Sequence, residues 1–296
     1  MNRNDVAKLL YTEISYIYSQ NLAKPRKTYW NKMATVMPSK KAEETYQNVG
    51  NLRPAEEIGE EGQMPYGKIT DGLETTVINK KYGNGLKFSF EAWDDEKHGI
   101  IKKAKSAEIH RTIMTLRERN IAAIWNTVTT ATGADAVAFA SASHPLLNTD
   151  GDLNDNLVSG EFNPTNYKAA VDSFDEWLNH AGEDFDTSCD KMYAHPTRQM
   201  YIFEMLMSTL KAFEISNTKN FLPKVTPVFN KYLSKLPVHL IDSSIPTCIM
   251  QKRLAISAGY AVDERDNQMF YFNLYERYRA AMINPGFGFV TITGAA

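Results

Sequence analysis

The stretch from Gly85 to Val128, GLKFSFEAWDDEKHGIIKKAKSAEIHRTIMTLRERNIAAIWNTV, changes its period without a break. Leu86, Phe88, Phe90 and Ala92 alternate with Lys87, Ser89 and Glu91, the two-residue repeat of a half-buried strand. Then Ile109, Ile113, Leu116, Asn120, Ile124 and Val128 recur at steps of three or four, which is a helical stripe. The pattern predicts a strand running into one helix of roughly 35 residues, about 50 Å at 1.5 Å per residue. That is about three times the mean helix of a compact domain, so it has to span a distance. Arg117 falls on the face opposite the stripe and is expected to be solvated.

The rest of the chain reads as α+β. Val6, Leu9, Leu10, Ile14 and Ile17 sit at helical spacing over residues 1 to 23, an amphipathic arm that Lys24-Pro25 ends. Asp5 and Glu13 interrupt it, so it is not a signal peptide. A strand-like start at Tyr46 and Val49 and a return over Leu73 to Lys81 flank a middle rich in glycine and glutamate, as in an extended hairpin. With so little of its own to bury, this hairpin is expected to project from the body. Asn163-Pro164-Thr165 opens a helix that Gly182 is expected to cap. KMYAHP is a short strand, and a helix follows from Pro196 or Thr197. After the short apolar runs TPVF, VHLID and TCIMQ, the chain closes with QMFYFNLYERYRAAMI, a turn at Asn284-Pro285-Gly286, and FGFVTIT, which reads as a hairpin.

Composition narrows the function classes. A formal charge of −2 over 296 residues argues against a chain held on nucleic acid by a global basic field. The isolated cysteines Cys189 and Cys248 point to buried thiols rather than a disulfide framework. No window approaches the roughly 18 uninterrupted apolar residues of a membrane span.

Candidate chemistry is sparse. Asp150, Asp152, Asn154 and Glu161 have the spacing of a calcium-binding EF-hand loop, but Asp155 stands where that loop needs glycine and no helix leads in. A solvated turn is the simpler account, and the same turn role is assigned to the neighbouring His144. His195 reads as a strand-end residue. There is no GxSxG, Walker loop, GxGxxG or HExxH. The basic run Lys102, Lys103, Lys105, Arg111, Arg117 and Arg119 is interleaved with Glu96, Glu108 and Glu118, as on a solvated helix face. Phe270, Tyr271, Phe272, Tyr275 and Tyr278 read as sheet core. No catalytic residues, cofactor or metal are expected. A metal-dependent hydrolase built on Asp150, Asp152 and His144 is the alternative from the enzyme class.

The order of parts resembles the major capsid protein of tailed bacteriophages, the Hong Kong 97 fold. FASASHPLLNTDGDLNDNLVSGEFNPTNYKAAVDSF, KMYAHPTRQMYIFEMLMS and YERYRAAMINPGFGFVTI are similar to stretches of Mu-type major head subunits. The resemblance implies an N-terminal arm over residues 1–45 and an extended loop over 46–85. A peripheral domain with the spine helix would follow over 86–184, an axial domain over 185–265, and a return to the peripheral domain over 266–296. It also implies a non-enzymatic shell subunit, assembled in the bacterial cytoplasm into the hexamers and pentamers of an icosahedral virion around double-stranded DNA. Scaffolding, portal and decoration proteins would be its partners, and no membrane. Relatives often carry a cleaved scaffolding segment before the arm; with an amphipathic arm starting almost at Met1 none is visible, and the scaffold is expected to be separate, absent or already missing. The loop tip, with Arg53, Glu56, Glu57, Glu60, Glu61 and Tyr66, is the expected contact with a neighbouring subunit, its glutamates facing basic groups such as the spine lysines. An encapsulin-like cellular compartment keeps the fold and changes the cargo.

Overall fold

The computed structural model describes residues 28–47, 72–89, 100–147, 151–211, 218–263 and 269–294, with Thr12, Tyr16, Glu57, Ile58 and Gln63 singly. The arm helix expected over residues 1–23 therefore lies outside the described residues apart from Thr12 and Tyr16, both helical.

Two sheets organise the chain. The first has the order β1-β11-β12-β4, from β1 (Thr35–Pro38), β4 (Lys80–Ser89), β11 (Cys248–Asp263) and β12 (Met269–Met282). β12 is its axis, antiparallel to both β11 and β4. Its alternation sorts the side chains: Phe270, Phe272, Leu274, Tyr278 and Met282 are buried, while Tyr271, Tyr275, Arg277 and Arg279 face outward and are only half covered. The aromatic series is thus divided between core and outer surface. The long helix α2 (Ile100–Asn126) has 27 residues, about 40 Å, and packs on the buried face. Phe90 to Gly99, part of the predicted strand-to-helix passage, are not among the described residues, and the strand itself begins earlier than predicted, at Lys80.

The stripe of α2 is turned from its predicted position. Ile113 and Val128 are buried as expected, but the inward line runs through Arg117, Ile121, Ala122 and Trp125, while Leu116 is only half-buried. Arg117 is 4% exposed, against the expectation of a solvated face. Its Nε donates to Glu276 Oε2 at 2.9 Å, and Glu276 is 1% exposed. A charge left out of an apolar periodicity count can occupy a core position when a distant partner neutralises it.

The second sheet has the order β7-β13-β10-β8-β9, from β7 (Leu157–Val158), β8 (Lys191–Ala194), β9 (Thr226–Phe229), β10 (Val238–Ile241) and β13 (Phe289–Ile292). Every residue of β10 and β13 is buried, because both faces are covered. Val238, Leu240, Val290 and Ile292 pack with α3 (Pro164–Asp175) and α4 (Gln199–Met207) through Tyr167, Phe174, Ile202 and Leu206. Tyr193, Val228, Ile241 and Phe289 face the spine, where the Trp125 ring meets Phe289 edge-on at 5.5 Å. Burial of each large side chain here contributes roughly 1.5–3 kcal/mol. α3 is capped by Asn163, whose Oδ1 accepts from the Asn166 N–H at 2.8 Å. It stops at Asp175 rather than running to Gly182, which sits in the following turn at φ +83.

The closing segment is not a hairpin. β12 and β13 belong to different sheets, and Asn284-Pro285-Gly286 carries the chain across. Gly286 has φ +78, and a Cβ there would lie 2.7 Å from the His144 ring.

The extended hairpin has a defined base: β2 (Glu43–Gln47) pairs antiparallel with β3 (Glu74–Ile78). The predicted return over Leu73 to Lys81 is split at Asn79, whose side chain donates to Ser39 Oγ at 2.9 Å and to the Lys41 carbonyl at 3.0 Å. Lys80 onward belongs to the first sheet.

Candidate functional site, an assembly surface

The features that can serve assembly are the arm, the hairpin and the faces of the first sheet. The segment ahead of β1, within the stretch where the arm is expected, is fastened to α2. Glu118 Oε1 accepts from the backbone N–H of Tyr29 at 2.6 Å and of Trp30 at 3.2 Å, and its Oε2 accepts from Asn230 Nδ2 at 2.9 Å. The carboxylate is 8% exposed, so these donors replace the water it has lost. They sit at the start of the short helix α1 (Trp30–Met33), where unpaired N–H groups need an acceptor. Trp125 Nε1 donates to the Met33 carbonyl at 3.2 Å and Tyr193 Oη to that of Lys32 at 2.7 Å. Arg117 completes the clasp by lying 5.3 Å from the Trp30 ring centroid. Sequence reasoning missed Glu118 and Asn230. Their partners are 89 and 112 residues away, so no local pattern marks them.

The hairpin is clamped to the outer face of the first sheet. Tyr46 Oη donates to Gln251 Oε1 at 3.0 Å, and Gln251 Nε2 donates to the Val77 carbonyl at 3.1 Å. Val77, Ile249 and Ile283 close the apolar contact beneath. Glu44 braces the turn into the hairpin, and the backbone N–H groups of Lys40 and Lys41 hold its carboxyl below the usual range. Of the predicted tip residues only Glu57 is described, and it is exposed; Arg53, Glu56, Glu60, Glu61 and Tyr66 lie outside the described residues. The side chains of Lys102, Lys103 and Lys105 are likewise outside them.

The residues singled out for chemistry have structural work. His144 is 2% exposed, not a solvated turn residue: its Nδ1 lies 2.6 Å from Asp135 Oδ2 and its Nε2 3.2 Å from Asn156 Oδ1. Asn154 is buried, donating to the Leu178 carbonyl at 2.8 Å and accepting from its N–H at 3.1 Å, which turns it away from any ligand held by Asp152. Asp150 lies outside the described residues. His195 caps the helical turn after β8, its Nδ1 accepting from the Thr197 N–H at 3.2 Å. Burial pushes the thiols of Cys189 and Cys248 up to about 12, which keeps them protonated and unreactive at neutral pH.

A long helix on a strand-built sheet, a clamped hairpin and a fastened arm define a subunit of the tailed-phage shell class. Solved capsid structures share this fold. The capsid of the cyanophage P-SCSP1u superposes with TM-score 0.61 at 10% identity, over 91% of this chain and 89% of that one. Mycobacterium phage Adephagia gives 0.56 at 12% identity, over 92% and 91%. The procapsid of bacteriophage JBD30 gives 0.55 at 15% identity, over 99% and 76%. No curated protein sequence matches the chain. The family model of the Mu-like prophage major head subunit gpT matches residues 7–171, more than half of the 296 residues, and the chain belongs to that family. It is a major capsid protein of the Hong Kong 97 fold, a structural subunit of the virion head. The encapsulin-like alternative is not favoured.

Proposed function

We propose that this subunit tiles a closed icosahedral shell as hexamers and pentamers around double-stranded DNA, with scaffolding, portal and decoration proteins as its partners and the host cytoplasm as the place of assembly. Residues 86–184 with the return over 266–296 serve as the peripheral domain and 185–265 as the axial domain, with β11 lent by the axial stretch to the first sheet and β13 by the return to the second. Residues 1–45 act as the arm and 46–85 as the extended loop, whose tip residues Arg53, Glu56, Glu57, Glu60, Glu61 and Tyr66 contact a neighbour.

The observation that carries the reading is the clamped base. A hairpin bound to its own sheet through Tyr46, Gln251 and Val77 gives residues 48–73 a fixed point of departure. Deleting residues 55–66 and closing the gap with a short turn is expected to leave far-UV circular dichroism and melting unchanged while abolishing stable shells by sedimentation and negative-stain microscopy. Normal shells from that deletion overturn the loop assignment. Shells filled with protein instead of nucleic acid overturn the DNA assignment.

A further inference from the structure

Between α2, β4 and the loop that follows β9 lies a cleft of about 530 Å³. Its walls are fixed from both sides. Asn84 of β4 donates from Nδ2 to Thr112 Oγ1 at 2.8 Å, which ties the strand to the helix. Across the cleft, Asn126 Nδ2 donates to the Tyr232 carbonyl at 2.9 Å, and Asn126 Oδ1 accepts from the Ser234 N–H at 2.7 Å. The Tyr232 N–H donates to Asn230 Oδ1 at 2.9 Å. A site held this way has little freedom to lose when a ligand arrives.

Three cations line the cleft, Arg111, Arg119 and Lys231, against one carboxylate, Glu108. Glu108 is taken up by Arg111. Arg119 and Lys231 are exposed and have no carboxylate partner among the described residues. Both turn to Tyr232 instead: the guanidinium lies 5.3 Å and the ammonium 5.0 Å from its ring centroid. Burial alone would raise the Tyr232 hydroxyl, but hydrogen bonds from Lys231, Thr115 and Arg119 hold it below its ordinary range. Two cations and a hydroxyl therefore converge on a neutral phenol, where an anion is the better acceptor.

These donors suit an anion with more oxygens than a carboxylate has. One guanidinium satisfies both oxygens of a carboxylate, which leaves the ammonium and the Thr115 hydroxyl unused. A phosphate has acceptors for all three, and a nucleic-acid strand repeats its charge about every 3.4 Å of rise. Arg111 and Arg119 stand about 12 Å apart along α2 at 1.5 Å per residue, the rise of about three to four nucleotides. We propose that this cleft binds the phosphodiester backbone of nucleic acid, with one phosphate among Arg119, Lys231 and Thr115 and a later one at Arg111. This rests on the reading of a DNA-enclosing shell and adds a named contact to it. With a net charge of −2 no global field draws the polymer in, so the contact is local.

The test titrates a short fluorescent DNA duplex with the full-length, unassembled subunit by anisotropy over a range of salt. Arg119→Gln with Lys231→Gln is expected to weaken binding roughly tenfold and to lower the slope of log affinity against log salt by about two. Lys168→Gln with Lys224→Gln removes equal charge from exposed positions outside the cleft and stays within about twofold of wild type. Circular dichroism and melting of both variants match wild type. Four results overturn the proposal. Two are a wild-type subunit that does not bind the duplex, and equal affinities or equal losses in the two variants, the mark of a diffuse field. The third is displacement of the duplex by inorganic phosphate at matched phosphate concentration, which makes the cleft a site for the free anion. The last is stronger competition by a peptide of residues 91–96, which assigns the cleft to a carboxylate segment. The enclosing reading is judged separately, by what fills wild-type shells. Shells that hold nucleic acid beside a failed titration remove the cleft alone, and shells filled with protein remove the enclosing reading while the titration still decides the cleft.

Discussion

The two sheets share the spine helix and differ in how far their faces are covered. In the second sheet, β10 and β13 are buried at every residue, with α3 and α4 on one face and Trp125 on the other. In the first sheet β12 is buried at alternate residues only, and its outer face carries Lys81, Lys87, Arg277 and Arg279 in the open or half-open. A sheet closed on both faces stabilises the monomer and offers a neighbour nothing. A sheet closed on one face forgoes that stabilisation in the isolated subunit and leaves the other face to its surroundings.

The sharpest way to break this contrast is at the first sheet's closed face. Arg117→Ala strands Glu276 in the core and is expected to cost the unassembled subunit about 3–5 kcal/mol in urea unfolding. Leu116→Ala, at the half-buried neighbouring position, costs clearly less. Replacing Arg117 with Met and Glu276 with Leu together removes both charges and lands near wild type; a severe loss there means the ion pair itself is indispensable. In the second sheet, Leu240→Ala is expected to cost about 2–5 kcal/mol. Acidity should act through the same sheet. His239 is fully buried beside Trp125, and burial pushes it down to about 3 from 6.5. Below about 6.5 the unfolded chain takes up a proton that the folded chain refuses. Stability therefore holds above that pH and falls as pH drops toward 3, by up to ~1.4 kcal/mol per pH unit from this group. His239→Asn removes this contribution, and an unchanged pH profile in urea melts refutes it. The smallest effect belongs to the open face: Lys87→Ala stays within about 0.5 kcal/mol in the unassembled subunit. A cost equal to that of Leu240→Ala would erase the distinction between the two sheets.

Elements with a strong local period were legible in the sequence: the spine helix, the Asn163 cap and the strands at KMYA and FVTI, while TPVF and VHLI read only as apolar runs and prove to be strands. What failed were inferences that needed the partner. Apolar spacing put Arg117 outside because it cannot see Glu276, 159 residues away. Two strands joined by Asn-Pro-Gly read as a hairpin because adjacency in sequence is the usual guide to pairing, whereas β13 finds β10 and β7 instead. His144 looked like turn furniture until Asp135 and Asn156 closed around it. The outer-face set of Lys81, Lys87, Arg277 and Arg279 was not legible at all. Its members come from two strands far apart in the chain and meet only through their register.

The crossing at Asn284-Pro285-Gly286 also decides how the subunit bears mechanical load. Because only the short turn over 283–288 separates β12 from β13, a pull applied by a neighbour to the first sheet travels along covalent bonds into the second. It does not have to cross a side-chain interface, which would slip first. The joint is wedged as well as tethered: the position of a Cβ on Gly286 falls against the His144 ring, and that of one on Gly133 falls 2.8 Å from Pro285. A crossing packed this closely at both glycines resists hinging there, so strain at the shell's contacts reaches the interior of the subunit as tension along the chain.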